Sequence, residues 1–514
     1  MNRTLALAVL GLLLAGCLHK PSDLFTPQSG KVHRFDGHLT FPEPVAYNGT
    51  GAPRPIPAAL AGDAFPRNVE QMVGKAGGEP NIGVTSTGTL FVNTNDDTQR
   101  STDQGRTWAT AYTFKTPGAP MTDDQFSSAD PMLWVDPLTD RVFADQMHLY
   151  FGTLADCTWM AWSDDDGATW TERPAACGIP HIDHQKVMTA PYHTVQGMQM
   201  PANPVYPNVL YMCTNDIDIG TWCTMSYDGG LTWAVQTQAA QPDLGCGSIN
   251  GHPAAYPDGT VVVALQAALN SEFCQRPLTI LVTEDNGLSW DARSCAPGYG
   301  EVDIDPDITV TPDGTAYMVF RHTDQLHYLL RSKDKFHTCE VFKVSPPGVQ
   351  LGVFQAITSG DDGKLAMAWL GTRDPQEPGA VPSNATGGSQ WHAFVTTVLD
   401  AEAKDPTFVT QQVTPKEDPV QVGCVWLGGG GGGPHQCRNL LDFIDIVHDK
   451  DGRTYTSITD GCVPRNGCAG DLDSAEFQSR DQQVAVLVQD RGASLLGGGQ
   501  LTPLGLQPPL PNPE

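Results

Sequence analysis

The sequence predicts an all-β fold built from one repeated unit, and two patterns carry that prediction. An octet of the form Ser/Thr-x-Asp-x-Gly-x-Thr/Ser-Trp recurs through the middle of the 514-residue chain. A strand–turn–strand pattern, with Asp-Gly or its equivalents at the turn, recurs ahead of the octets and again beyond the last of them. Self-similarity at regular spacing marks a repeat architecture in which each unit buries an apolar face on the next.

In chain order, MNRTLALAVLGLLLAGCLHK opens the sequence as an export signal. Arg3 supplies the charge, Leu5 to Leu14 the apolar run, and small residues precede Cys17. That run is too short to span a bilayer. LAGC resembles the lipobox of prokaryotic lipoproteins, which implies a signal peptide over 1–16 and a mature chain beginning at a lipidated Cys17. An ordinary secretory signal with an incidental cysteine is the alternative. Residues 17–60, rich in Pro and Gly, read as a tether and linker, with KVHRFDGHLTF (Lys31 to Phe41) as a candidate strand closing the ring of repeats. Residues 61–490 carry the repeats, and 491–514 read as a disordered tail.

The full octets are STDQGRTW (Ser101 to Trp108), SDDDGATW (Ser163 to Trp170), SYDGGLTW (Ser226 to Trp233) and TEDNGLSW (Thr283 to Trp290), with a worn copy, SKDKFHT, from Ser332. Their aspartates, Asp103, Asp165, Asp228, Asp285 and Asp334, lie 62, 63, 57 and 49 residues apart. Each octet follows a β-like run and reads as a hairpin turn. The Asp carboxylate accepts backbone N–H bonds, glycine takes a left-handed conformation, and the tryptophan buries its ring beside the next sheet. SDDDGATW alone looks like a metal loop, but its sisters argue against one. Asp164 aligns with Thr102, Tyr227 and Glu284, and Asp166 with Gln104, Gly229 and Asn286. Both are read as solvated.

The strand–turn–strand units open on Glu79, Asp130, His184, His252, Asp305, Gln355 and Asp442, at intervals of 51, 54, 68, 53, 50 and 87 residues. The longest interval absorbs an insertion containing Gly428 to Gly433, a flexible loop.

The octets are similar to the Asp-boxes, or BNR repeats, of sialidases and related β-propellers. The resemblance implies an all-β propeller with its boxes on outer turns, away from the central pocket, so their role is structural. Seven units predict seven blades. Six is the alternative, because sialidases have six and the last two units lack clear boxes. Sialidases hold the substrate carboxylate with three arginines, the first in a Phe-Arg-Ile-Pro motif, and use a Tyr–Glu nucleophile pair with an Asp acid/base. With the motif's proline set on Pro80, its arginine position falls on Gly78 and its isoleucine on Glu79, an acidic residue where a carboxylate must bind. FPRN (Phe65 to Asn68) lies ahead of that strand. Of the remaining candidates, Arg321 and Arg373 are in no family context, Tyr455 reads as a sheet residue as readily as a nucleophile, and Asp96 and Asp97 lie at roughly the distance the family's acid/base needs, as acidic loop pairs commonly do. The expected function is therefore a noncatalytic module that binds glycan or protein ligands. The alternative is an exo-α-sialidase-like glycoside hydrolase with a rearranged active site.

In propellers the start of each innermost strand faces the central channel. Glu79, Asp130, His184, His252, Asp305 and Asp442, with Asp307 and Asp445, can then converge as a ligand site. Such a ring suits a divalent cation such as calcium, or a cationic or polyhydroxyl ligand. The competing reading is that these residues cap strands, hydrogen-bond backbone at the channel mouth and stay wet, with His184 and His252 equally readable as satisfied structural histidines.

Of 13 cysteines, those other than Cys17 fall in near-neighbour couples: Cys157/Cys177, Cys213/Cys223, Cys246/Cys274, Cys295/Cys339, Cys424/Cys437 and Cys462/Cys468. An even set in an exported chain reads as disulfides, here as staples within single sheets. With 58 acidic against 30 basic residues and a net charge of −28, nucleic acid is excluded as a partner. The expectation is a monomer at the cell envelope or cell surface, held only by the lipid on Cys17.

Overall fold

The computed structural model describes residues 39–94, 97–114, 128–148, 156–179, 182–195, 198–199, 205–216, 220–233, 235–240, 249–265, 278–300, 305–386, 388–425, 439–462 and 482–509. Among them, seven antiparallel sheets have four or more strands, and one ribbon has two. The first sheet is Ile82–Val84, Leu90–Thr94, Asp97–Ser101 and Ala109–Thr113; the second is Ser128–Val135, Val142–His148, Asp156–Ser163 and Thr171–Ile179. The third is Ile182–Pro191, Asn208–Asp216, Gly220–Ser226 and Val235–Ala240; the fourth is Asn250–Ala255, Val261–Leu265, Thr279–Thr283 and Asp291–Arg293. Asp307–Val310, Ala316–Arg321, His327–Ser332 and Glu340–Lys343 make the fifth. The sixth runs from Leu351–Ser359 through Leu365–Thr372 and Gln390–Val398 to Thr407–Gln412. The seventh is Asp445–His448, Thr454–Asp460, Gln483–Ala493 and, from far upstream, Arg67–Ala76. The first strand of each sheet packs on the first strand of the next, and the seventh returns to the first. The molecule is an all-β propeller.

The core lies between sheets rather than within one layer. Tyr317, Val319 and Leu329 of the fifth sheet meet Met367, Trp369 and Phe394 of the sixth, where the Trp369 and Phe394 rings stack with centroids 4.3 Å apart. Comparable buried clusters fill the other junctions, so each sheet is apolar on both faces and its strands read as continuous hydrophobic runs such as Val261–Leu265.

The octets form one turn repeated. In the second sheet Ser163 Oγ donates to Asp165 Oδ1 at 2.8 Å and accepts Gly167 N–H at 2.9 Å, while Asp165 accepts Thr169 N–H at 2.7 Å and Thr169 Oγ1 at 2.6 Å. The same bonds recur around Asp103, Asp228, Asp285 and Asp334. Two successive residues take positive φ, Asp166 at 57° and Gly167 at 82° in this copy. The worn copy places Lys335 and Phe336 there, with Phe336 buried against the fourth sheet.

Several expectations are corrected. Asp164 is gripped by Arg141 Nε at 2.6 Å and Nη2 at 2.7 Å, and Asp166 by Thr89 Oγ1 at 2.7 Å and Arg100 Nη2 at 3.0 Å of the first sheet. Neither is simply solvated. The octet tryptophans pack toward the preceding sheet, as Trp170 does on Phe91 and Tyr112, and Trp290 by donating to Thr237 Oγ1. Arg67–Ala76, not Lys31 to Phe41, closes the ring; residues 31–38 lie outside the described residues. The linker boundary at 60 moves back, because Val45–Asn48 pairs with Thr407–Gln412 of the sixth sheet and with Pro53–Arg54 on its other side. The expected tail is folded as far as it is described. Gln500–Leu501 pairs with the end of Gln483–Ala493, and Leu495, Leu501 and Leu506 are buried.

Cys157–Cys177 and Cys213–Cys223 are disulfides between neighbouring strands of one sheet. Cys295–Cys339 instead ties the outer edges of the fourth and fifth sheets. Cys424 and Cys462 are also disulfide-bonded, while Cys246, Cys274, Cys437 and Cys468 lie outside the described residues, as does Cys17. No described helix is long and apolar enough to cross a membrane.

Candidate functional site

The sequence placed eight polar residues at the starts of innermost strands, and the fold brings them to one end of the ring. A recurring bulge orients them: Glu79, Asp130, His184, Phe354 and Leu441 have φ between 49° and 60°, and pairing slips by one residue beside Asp130, His184 and Phe354. Such a bulge adds an unpaired residue and re-aims side chains.

Half of the set stitches neighbouring strands. Glu79 Oε2 accepts Asp130 N–H at 3.2 Å, and Asp130 Oδ2 accepts His184 N–H at 2.8 Å. Asp307 Oδ2 accepts Ile357 N–H at 2.7 Å, and Asp445 Oδ2 accepts Ile82 N–H at 3.1 Å. Gln355 Nε2 does similar work, donating to the Asp305 carbonyl at 2.7 Å. These residues bond backbone as the capping reading has it, but Glu79, Asp130, Asp307 and Gln355 are buried, where that reading left them wet.

The other half forms a buried ion cluster. His184 Nδ1 lies 3.3 Å from Asp305 and Nε2 lies 3.6 Å from Asp442. His252 Nδ1 lies 3.6 Å from Asp307. Two residues outside the predicted set complete it. Lys186, fully buried, donates to Asp305 Oδ2 at 2.9 Å, and its ammonium sits 3.6 Å from the centre of the Phe443 ring. The His184 and His252 rings meet the same phenylalanine at 6.2 and 6.1 Å. A sequence signal for Lys186 existed: it is the one lysine among the seven strand openings.

Burial disfavours charge on His184, but the carboxylates of Asp305, Asp130 and Asp183 hold its pKa well above the ordinary value. Burial likewise opposes ionisation of Asp305, yet Lys186 and His184 hold it down to about 2. Asp445 moves the other way, raised by burial and by Asp307. Asp130, Asp183 and His184 present ligand atoms within 4.8 Å of one another. They do not fit calcium, which takes six to eight oxygens. One of the three donors is a nitrogen already directed at carboxylates, and Lys186 already provides the local positive charge.

The sialidase candidates lie elsewhere. Arg321 donates to Gln325 at 2.5 Å, and Arg373 lies over the Phe394 ring of the sixth sheet. Tyr455 donates its hydroxyl to Asp449 at 3.1 Å, in the turn at the opposite end of the seventh sheet. Asp97 pairs with Lys75 at 3.2 Å, and Asp96 is outside the described residues.

No protein-family model matches the chain, and no curated protein matches it. Among solved structures it is similar to a protein of unknown function from Dyadobacter fermentans, at 12% identity and TM-score 0.42 over 71% of this chain and 94% of that one. It is similar to an α-L-arabinofuranosidase of Fusarium graminearum, at 14% identity and TM-score 0.43 over 65% and 98%. It is also similar to the phage phi92 endosialidase, at 12% identity and TM-score 0.45 over 83% and 69%.

Proposed function

We propose that the chain is a seven-bladed Asp-box propeller, lipid-anchored through Cys17 outside the cytoplasm, that binds glycan or protein ligands at its channel face without sialidase catalysis. The blade count rests on seven first strands packed in cyclic order, and the box assignment on five turns with the same bonds. The disulfides suit an oxidising compartment.

One observation carries the functional reading: the channel carboxylates are already engaged. A glycosidase of the two-carboxylate kind needs one carboxyl that is protonated near neutrality and one free to attack or activate water. Asp305, held at about 2 by Lys186 and His184, has no proton to give. Asp445 is shifted upward, but its oxygens accept Ile82 and Ile446 N–H. In contrast, His252 Nε2, Asn250 Oδ1 and Gln185 Oε1, all at strand starts, are buried without hydrogen-bond partners. Unspent donors and acceptors of this kind suit a hydroxyl-rich ligand.

The test pairs fluorogenic sialoside hydrolysis with binding to immobilised glycans, using the chain without its lipid. Glycan binding without turnover is expected, and His252→Ala should weaken it about tenfold, the worth of one hydrogen bond. Sialoside turnover that disappears in Asp445→Asn would overturn the binding reading in favour of a hydrolase.

A further inference from the structure

A second cavity, of about 420 Å³, lies at the outer rim between the sixth and seventh sheets, away from the channel. Phe41, Pro44, Leu60, Phe65 and Val413 supply its apolar lining. Two polar residues of the ring-closing strand, Asn68 and Glu70, also line it. They are 3% and 5% exposed, and Asn68 Oδ1 and Glu70 Oε1 have no hydrogen-bond partner. The Asn68 amide is oriented by its Nδ2, which donates to the Pro66 carbonyl at 3.1 Å and to Gln411 at 3.3 Å, so the unpaired atom is an acceptor. Two buried acceptors two residues apart on one strand call for a ligand rich in N–H donors.

The charges around the cavity have the matching sign. Asp460 and Asp418 act electrostatically on Glu70, and Glu43 lies on the exposed wall. Arg67 and Arg491 stand at the rim with carboxylates of their own, Asp490 at 3.4 Å and Asp63 at 3.8 Å. Arg491 Nε is buried and unpaired, so the end of the ligand that meets it is neutral or carries an acceptor.

We propose that this cavity binds a small primary amine with an apolar body, its ammonium held by Glu70 and Asn68. Burial, with Asp460 and Asp418 adding to it, raises the Glu70 pKa well above the usual carboxylate value. A bound ammonium reverses that balance, so binding releases the carboxyl proton and tightens as pH rises.

The test is calorimetry on the whole exported chain with n-hexylammonium, beside n-hexanol as a neutral probe of the same length. Saturable amine binding is expected, at least tenfold tighter than hexanol and tighter at pH 8 than at pH 6. Glu70→Gln should remove that preference, and Phe41→Ala, on the exposed wall, should weaken amine and alcohol alike. Equal binding of the two probes, an amine affinity untouched by Glu70→Gln in a folded variant, or no saturable amine binding at pH 8 would each overturn the proposal.

Discussion

Lys186 shows how much one buried charge decides at the channel mouth. Removing one partner of a buried pair strands the other, at a cost of about 3–5 kcal/mol, whereas replacing both by neutral groups is often close to neutral. Asp305→Asn should therefore destabilise by about that amount, because it strands the buried Lys186, and Lys186→Met by less, because Asp305 keeps His184. The double variant should recover much of the loss. Urea denaturation of the four proteins measures the coupling, and strictly additive effects would show that the two do not act as a pair. The residue was hard to read from sequence for a physical reason. Pairing slips between Asp183 and Lys186, so the extra residue shifts the in–out alternation on which strand reading depends. Glu79 and Asp130 were legible as channel-end residues. Their use as acceptors for a neighbouring strand's N–H was not, because it depends on a left-handed residue one sheet away.

The octet turn was readable because it is local: every bond around Asp165 falls within the eight residues from Ser163 to Trp170. What escaped the reading is the work of its variable fourth position. Asp166 reaches Thr89 and Arg100, Asn286 accepts His193 N–H at 2.6 Å, and Lys335 reaches Asp258 and Thr260 at 2.8 Å. Each latches its sheet to the preceding one, and each junction offers different chemistry, so the column varies without being idle. The fifth copy tests the trade between turn and core. Phe336 occupies the glycine position at φ 66° and is 1% exposed. Phe336→Gly would relieve roughly 1–2 kcal/mol of left-handed strain but lose about 3–5 kcal/mol of packing against the fourth sheet. Packing should win, with a net loss of about 2 kcal/mol in urea denaturation. A more stable variant would show that the turn governs.

Across the whole molecule, closure and charge meet in the pH dependence of stability. The seventh sheet takes its outermost strand, Arg67–Ala76, from the beginning of the ring, so the two ends of the fold unfold together. Into that sheet, into the segment beyond the sixth and into the second sheet the fold buries carboxyls without enough partners. Burial raises Asp145 to about 8, burial and Asp418 raise Asp460 to about 8, and burial raises Asp418 to about 6. A carboxyl with a raised folded pKa binds its proton more tightly when folded, so its contribution is present below the unfolded value near 4 and is lost as pH climbs toward 8. His184, also raised, acts in the same direction at higher pH. The octet aspartates oppose this at the acid end. Hydrogen bonds from Thr169, Thr232 and Thr338 lower Asp165, Asp228 and Asp334, and that stability disappears as pH falls below about 4. A net charge of −28 adds self-repulsion that protonation relieves. Stability should therefore peak at about pH 4–5 rather than near neutrality. Thermal unfolding across pH 3–9 should show that maximum, and Asp145→Asn with Asp460→Asn should flatten the alkaline limb while leaving the acid limb in place. A maximum at pH 7 or above, or an alkaline limb unchanged in the double variant, would mean that these carboxyls stay ionised and find partners in the folded ring.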